Sequence, residues 1–133
     1  MSISIGGTLR MRSFVREESL GSVRVFWLDQ TGLVEELRSV AGRIGEGDKN
    51  VVRIVLFGSL AEGRAVPGSD ADILVILERD DRPFMNRISD WAARFEVDFP
   101  VDVFPYTVEE LDVPIVREAE RRGIVLYERR TRF

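Results

Sequence analysis

The sequence predicts one α/β (α+β) domain in which strands and helices alternate. Two short apolar runs, "VVRIVLF" at residues 51–57 and "DILVIL" at residues 72–77, are typical of buried strands. Stretches with a single apolar helical face lie on either side of these runs, which favours helices packed on a sheet. A chain of 133 residues is long enough for one sizeable core.

Two amphipathic helices flank the predicted strands. The first has Asp29 or Thr31 as its N-cap and ends at Gly45 or Gly47. The second begins near Pro83, a residue that is favoured in a first helical turn. Their apolar faces contain Leu33, Leu37, Val40 and Ile44 in the first helix, and Phe84, Ile88, Trp91 and Phe95 in the second.

The C-terminal third adds two strands and a helical stretch. The run "PVDVFPY" at residues 100–106 predicts a strand that is interrupted at Pro105. Thr107 and Glu110 have the spacing of a capping box, which predicts that a helical stretch starts there and is split by Pro114. The run "GIVLYE" that ends at residue 128 predicts the last strand.

The predicted domain covers residues 22–128 and opens with an edge strand in "SVRVFWL" at residues 22–28. Residues 1–21 show no clean period and are expected to form an irregular arm, and residues 129–133 a basic tail.

Composition excludes several classes of site. The absence of cysteine and histidine excludes disulfides, thiolate metal sites and the Ser-His-Asp triad. The net charge of −4 disfavours binding to long nucleic acid, which needs a basic surface. No apolar run approaches the ~20 residues of a membrane span, and no persuasive signal peptide is present, so a cytoplasmic protein is expected. Catalysis must therefore use carboxylates, hydroxyls, basic side chains or a metal ion.

Three aspartates stand near the ends of apolar strands. Asp70 and Asp72 are two residues apart, so they share one face of a strand, and Asp102 stands on a strand that could pair beside residues 72–77. Like charges this close need a cation between them, and Mg²⁺ takes one or two carboxylates plus substrate phosphates. Asp98 is a weaker candidate. A calcium loop of the EF-hand kind is excluded because Leu74 replaces a required ligand.

Each aspartate also has a purely structural interpretation. Asp70 could complete the turn in "PGSD", and Asp72 and Asp102 could each pair with an arginine. The three together favour a functional site over these separate explanations.

The loop before these aspartates contains two glycines in the spacing of a phosphate-binding P-loop. Gly58 and Gly63 fit that frame, but Arg64 and Ala65 replace its lysine and hydroxyl residue, and Pro67 stands where the helix should continue. A P-loop is therefore not favoured.

The pair Gly58–Ser59 could instead approach an anion closely, although "GS" could also simply end a strand. The pattern G-S, ten residues, D-x-D is formed by Gly58, Ser59, Asp70 and Asp72. With Asp102 on a later strand, it resembles the minimal nucleotidyltransferase family of the DNA polymerase β-type superfold, over roughly residues 22–128. The resemblance implies that fold, with a mixed β-sheet packed with helices.

The resemblance also implies transfer of a nucleotidyl group, usually AMP from ATP, to a hydroxyl. Asp70 and Asp72 would bind two Mg²⁺ ions, and Asp102 would bind the ion that activates the attacking oxygen. Gly58 and Ser59 would hold the terminal phosphates. Two such ions stabilise the entering and leaving oxygens of an in-line displacement.

One residue departs from the family pattern. Many relatives have a basic residue where this chain has Glu62. Arg64, or a residue such as Arg53, would have to supply the missing positive charge. Ser69, in the turn before the aspartates, completes the set predicted to bind nucleotide, which is Gly58, Ser59, Arg64 and Ser69.

The chain shows no extra domain of the kind that holds a primer or a tRNA in larger relatives. The resemblance therefore implies a protein acceptor, namely a tyrosine of a small helical HEPN-type toxin, with this chain as the antitoxin. Two alternatives stay open: a weak or inactive nucleotide-binding module that neutralises its partner by contact, and a small-molecule nucleotidyltransferase. Homo- and hetero-oligomers are both open.

Overall fold

The computed structural model describes residues 13–130, so most of the predicted arm and the last three residues of the predicted tail lie outside the described residues. No helix in this range is long and apolar enough to cross a membrane. The elements, in chain order, are β1 Val15–Leu20, β2 Val23–Leu28, α1 Gln30–Gly47, β3 Val51–Phe57, β4 Ala71–Leu77, α2 Phe84–Ala92, β5 Val101–Thr107, α3 Pro114–Arg122 and β6 Ile124–Glu128.

Four of the strands form one mixed sheet in the order β5-β4-β3-β6. β3 is antiparallel to both β4 and β6, whereas β4 and β5 are parallel and are connected through α2. The predicted alternation of helices and strands is confirmed from α1 onward. β5, which contains Asp102, pairs with β4, so the prediction that Asp102 stands on a strand beside residues 72–77 is also confirmed.

The two faces of the sheet pack against different helices. Ile54 and Val75 belong to the larger buried cluster, which includes Leu33 and Leu37 of α1. Leu74 and its neighbours on the opposite face belong to a smaller cluster with Val116 and Ala119 of α3. Asp72 precedes Leu74 by two residues, so its side chain lies on the face that α3 only partly covers.

The first helix is fixed at both ends by specific contacts. Asp29 is its N-cap, and its Oδ1 accepts a hydrogen bond from the N–H of Gly32 at 3.0 Å. Near the C-terminal end, Gly45 packs against the ring of Tyr127, whose hydroxyl donates to the Gly45 carbonyl at 3.2 Å. The predicted cap and the predicted end at Gly47 are therefore confirmed.

Two predictions for the C-terminal third are wrong in detail. β5 runs without interruption through Pro105, because β5 is an edge strand and an edge position tolerates a residue without an N–H. Glu110 does accept from the N–H of Thr107 at 3.0 Å, but no helix starts there. The helix begins at Pro114, which occupies its first turn instead of splitting it.

The arm expected to be irregular over residues 1–21 contains a strand. β1 pairs with β2 in an antiparallel hairpin that is separate from the main sheet. Three consecutive charged residues fill half of β1, so no alternation of apolar and polar residues signals it. β2 confirms the predicted strand at residues 22–28, although it pairs outside the main sheet.

Candidate active site

The loop between β3 and β4, residues 58–70, is held to the core by two buried side chains. Leu60 and Ala65 are buried in the larger apolar cluster. Gly58 and Gly63 have φ values of +80° and +76°, a conformation that glycine adopts without strain. The loop is therefore a defined structure rather than a simple spacer.

The last part of this loop is a β-turn over residues 66–69. The N–H of Ser69 donates to the carbonyl of Val66 at 2.9 Å, and the N–H of Val66 donates to the Ser69 hydroxyl at 3.0 Å. Pro67 precedes Gly68, whose φ is +101°, as a type II turn requires. Ser69 thus shapes the loop just before Asp70, and its hydroxyl still has a proton to donate.

The structure brings the predicted carboxylates to one edge of the sheet. Asp72 pairs with Phe57 on β3 and with Asp102 on β5. The N–H of Ala71 donates to the carbonyl of Pro100 at 2.9 Å, which aligns the first residues of the two parallel strands. Neighbouring strands are about 4.8 Å apart, so Asp72 and Asp102 project side by side from the same face.

The three acids influence one another electrostatically. Burial raises the pKa of Asp72 above its ordinary value, and the charges of Asp102 and Asp70 raise it further. Burial also raises the pKa of Asp102, followed by the charge of Asp70 and a hydrogen bond to the Asp70 side chain. The cluster therefore favours a cation or a shared proton.

Gly58 lies directly against this cluster. A Cβ added there would overlap Oδ2 of Asp72, so only glycine fits beside the carboxylate. The next residues form one turn, in which the N–H of Glu62 donates to the Gly58 carbonyl at 3.1 Å. Within residues 13–130, no backbone carbonyl accepts from the N–H groups of Ser59, Leu60 and Ala61. Backbone N–H groups in such a turn can bind phosphate oxygens.

The donor set suits a hard divalent cation. Carboxylate oxygens are the preferred ligands of Mg²⁺, which usually takes one or two of them together with phosphate oxygens of the substrate. Asp72 and Asp102 provide two, with Asp70 adjacent. In the part of the chain that the structure describes, no group of three acidic side chains is arranged so that it could hold a metal ion. A cation at this site would therefore need oxygens of the substrate as ligands as well.

Comparison with known proteins agrees with this geometry. Residues 36–128, more than half of the chain, match the family model of the nucleotidyltransferase domain. The chain belongs to this family. The fold class predicted from the sequence is thereby confirmed.

Two solved structures resemble this nucleotidyltransferase domain. One is a protein of Sulfolobus solfataricus provisionally assigned as a nucleotidyltransferase, with 21% identity, a TM-score of 0.57, and coverage of 75% of this chain and 84% of that chain. This similarity establishes the fold. The other is a toxin–antitoxin with AMP-PNP, with 19% identity, a TM-score of 0.44, and coverage of 77% of this chain and 75% of that chain. No curated protein matches the chain.

The arginines of the nucleotidyltransferase domain that could supply a positive charge to the phosphates already form ion pairs with glutamates. Arg64 donates to Oε1 of Glu62 at 2.9 Å, and Arg122 lies 3.9 Å from the same oxygen. Arg53 pairs with Glu120, and on β3 it lies four residues before Phe57, near the opposite edge of the sheet. Arg53 therefore does not lie beside the carboxylates, whereas Arg64 lies in the loop but is paired with a carboxylate.

Sequence reasoning missed two features near the site. The rings of Phe57 and Phe104 lie 5.5 Å apart and form an apolar floor on the face that carries Asp72. A cavity of about 460 Å³ separates the loop from the start of α1, and it is lined by Gln30, whose Oε1 is buried without a hydrogen-bond partner among the described residues. Because β-strand register and helix packing place these groups, no local motif indicates them.

Proposed function

We propose that the chain is a Mg²⁺-dependent nucleotidyltransferase that moves AMP from ATP to a hydroxyl group of a partner protein. One observation carries this proposal. Asp72 and Asp102 are opposite each other on parallel strands, and Asp72 lies against Gly58, whose next residues Ser59 and Leu60 have N–H groups with no backbone acceptor among residues 13–130. A cluster of carboxylates beside a phosphate-sized set of donors suits a metal-bound triphosphate.

Each residue of the site has a separate role in the proposed displacement at the α-phosphorus. The acceptor oxygen forms a bond to the α-phosphorus of ATP, and the bond from that phosphorus to the bridging oxygen breaks, so pyrophosphate leaves. Asp102, whose pKa burial and Asp70 raise, is suited to accept the proton of the acceptor hydroxyl. The N–H groups after Gly58 would orient the terminal phosphates, and Asp70 and Asp72 would hold the metal. Bound Mg²⁺, in two ions by analogy with the family, would neutralise charge on the phosphates.

The identity of the partner rests on the family resemblance given above. A small helical protein of the HEPN type, modified on a tyrosine, is the acceptor that this resemblance implies. Such an arrangement would make this chain an antitoxin that inactivates its partner chemically.

A second function is favoured by one specific contact. Because Arg64 is paired with Glu62, the loop offers no free side-chain cation to the triphosphate. A chain with weak nucleotide affinity could neutralise a partner by binding alone. This alternative predicts a stable complex without any covalent change.

The experiment that separates the two functions uses the chain together with the protein encoded beside it. The two are incubated with ATP and Mg²⁺, and mass spectrometry follows the mass of the partner. We expect an added AMP group with the unaltered chain and with Asp98→Asn, an exposed carboxylate outside the cluster. We expect no addition with Asp72→Asn. A partner that binds but stays unmodified in every reaction would support the binding module and refute the transferase.

A further inference from the structure

The β1–β2 hairpin carries most of the large apolar side chains that are exposed on the described residues. Among residues 13–130, six of the ten such side chains belong to it: Val15, Leu20, Val23, Val25, Phe26 and Trp27. A two-stranded hairpin on its own is only marginally stable in water, and concentrated apolar exposure usually marks an interaction surface. The hairpin is therefore expected to bind another protein surface.

One face of the hairpin carries apolar residues of β2 beside charged residues of β1, because the register places Arg16 opposite Trp27 and Glu18 opposite Val25. The register pairs Leu20 with Val23, and it places Val25 and Trp27 on the same face as this pair. On the other face, Glu17 forms an ion pair with Arg24. The β2 side of the first face is therefore apolar along its whole length, whereas its β1 side carries Arg16 and Glu18.

The two outer edges of the hairpin differ in charge. Arg16, Glu17 and Glu18 occupy the middle of β1, and charges of this kind protect an edge from pairing with another strand. β2 carries a single charge, Arg24, among five apolar residues. Within the described residues, neither strand pairs with any strand other than its hairpin partner. β2 is therefore the edge that is open to pairing.

The turn fixes which backbone groups of β2 point outward. Leu20 and Val23 flank a two-residue turn containing Gly21 at φ +64°, so these flanking residues form a hydrogen-bonded pair. Hydrogen-bonded and non-hydrogen-bonded positions alternate along an antiparallel pair. Arg24 and Phe26 therefore direct their N–H and C=O groups away from β1.

These outward groups restrict how two copies of β2 could pair about a two-fold axis. An axis at Arg24 would place two guanidinium groups opposite each other, which is unfavourable. An axis at Phe26 would require pairing with Leu28, which is only 7% exposed at the base of the hairpin. An axis at Val25 avoids both problems, because it pairs Arg24 with the partner's Phe26.

We propose that the β2 edge is a self-association surface, on which a second copy of this chain pairs antiparallel about a two-fold axis at Val25. The two hairpins then form one four-stranded sheet. Val23 lies opposite the partner's Trp27, so the apolar β2 side chains of the two copies pack next to one another on one face of the sheet. An edge of six residues buries less than the ~1,200 Å² typical of stable complexes, so the dimer is concentration-dependent.

Cysteine cross-linking tests the register directly, because the chain contains no cysteine. In the proposed pairing, two copies of Val25→Cys face each other at a non-hydrogen-bonded position, where a disulfide can form. Two copies of Phe26→Cys are offset along the strands and lie on the other face. We expect a covalent dimer for Val25→Cys under mild oxidation, and little for Phe26→Cys or for the exposed control Met85→Cys.

Charge substitution tests the same interface without a covalent link. Light scattering after size exclusion should show a dimer for the unaltered chain and for Met85→Lys, but a monomer for Val25→Lys alone and for Val25→Glu alone. A mixture of these two Val25 variants should restore the dimer, since opposite charges then meet at the axis. The proposal is overturned if the unaltered chain stays monomeric at every concentration, or if Val25→Cys and Phe26→Cys cross-link equally.

Discussion

Asp72 of β4 lies directly opposite Asp102 of β5, on the sheet face that also carries Leu74 and Phe104. The two residues stay next to each other in the folded chain, because the parallel strands are paired in register along their whole length. The two carboxylates therefore repel each other whenever both are charged. Burial raises the pKa of both groups, and the charges of Asp102 and Asp70 raise that of Asp72 further, whereas Asp70 is the acid that raises the pKa of Asp102.

Removing one of these charges should stabilise the protein when no divalent cation is added. We expect Asp72→Asn and Asp102→Asn each to raise the Tm in the presence of a chelator, because each relieves the same repulsion. The double variant should gain less than the sum of the two. Differential scanning fluorimetry measures this, with Asp98→Asn as the control that leaves Tm unchanged. Fully additive gains would contradict the coupling.

With magnesium added, the unaltered chain should become more stable than the Asp72→Asn variant. A cation that bridges Asp72 and Asp102 stabilises the folded state by mass action, so the Tm of the unaltered chain should rise with the logarithm of the MgCl₂ concentration once that concentration exceeds the Kd. Asp72→Asn should lose most of that increase. Equal shifts in both proteins would show that Mg²⁺ acts elsewhere.

Gly58 and Gly63 form a matched pair for testing the loop. Both have positive φ, so alanine at either position should cost about 1–3 kcal/mol of stability through backbone strain. Only the Cβ at position 58 would overlap Asp72, whereas nothing lies within 4 Å of the corresponding atom at position 63. We expect Gly58→Ala to lower nucleotidyl transfer about 100-fold, since a displacement near 1 Å is sufficient for such a loss. Gly63→Ala should retain transfer, as measured by pyrophosphate release.

Releasing Arg64 from Glu62 should strengthen nucleotide binding. We expect Glu62→Gln to increase affinity for ATP about 5-fold, because an exposed ion pair is worth about 1 kcal/mol and the freed guanidinium can meet the phosphates. Isothermal titration calorimetry with a non-hydrolysable ATP analogue measures the change. Asp112→Asn, which frees Arg117 on α3, serves as the control and should not alter affinity.

The buried Arg87 should make stability depend on pH through Glu110. Hydrogen bonds from Arg87 hold the pKa of Glu110 at about 2, below its ordinary value of 4.5. Because the pKa of Glu110 is lower in the folded state than in the unfolded state, its ionised form stabilises the fold. This stabilisation is at its full value above pH 4.5 and is lost as the pH falls toward 2. We expect Glu110→Gln to lower the free energy of unfolding by about 1–2 kcal/mol at pH 7.

That difference should shrink between pH 4.5 and pH 2, because the native carboxylate is then neutralised as well. Urea unfolding at several pH values measures it. Glu109→Gln, the exposed neighbour, should show no such dependence. A difference that persists at pH 2 would mean that geometry rather than charge stabilises this pair.

Features that depend on local pattern could be predicted from the sequence. β3 was predicted at residues 51–57 and β4 at 72–77 from apolar runs, and the cap of α1 from Asp29, because burial and capping act over a few residues. The opposition of Asp72 and Asp102 could be anticipated, since both stand near the start of apolar strands.

Features set by tertiary contacts could not be predicted in this way. The capping-box spacing predicts that Glu110 accepts from the N–H of Thr107, which it does, but it does not reveal that a buried arginine 23 residues earlier donates to both oxygens of Glu110. Pro105 was expected to interrupt its strand, because the sequence does not reveal which strand lies at an edge. The pairing of Arg64 with Glu62 likewise depends on the fold of the loop.

The central position of β3 has a consequence for how the chain acquires its structure during synthesis. β3 is paired on one side with β4 and on the other with β6, the last strand of the sheet. A growing chain that has emerged only as far as α3 therefore exposes an unsatisfied, strongly apolar strand edge. Completion of the sheet waits for Ile124–Glu128 to leave the ribosome, and until then a chaperone or a neighbouring nascent chain would compete for that edge.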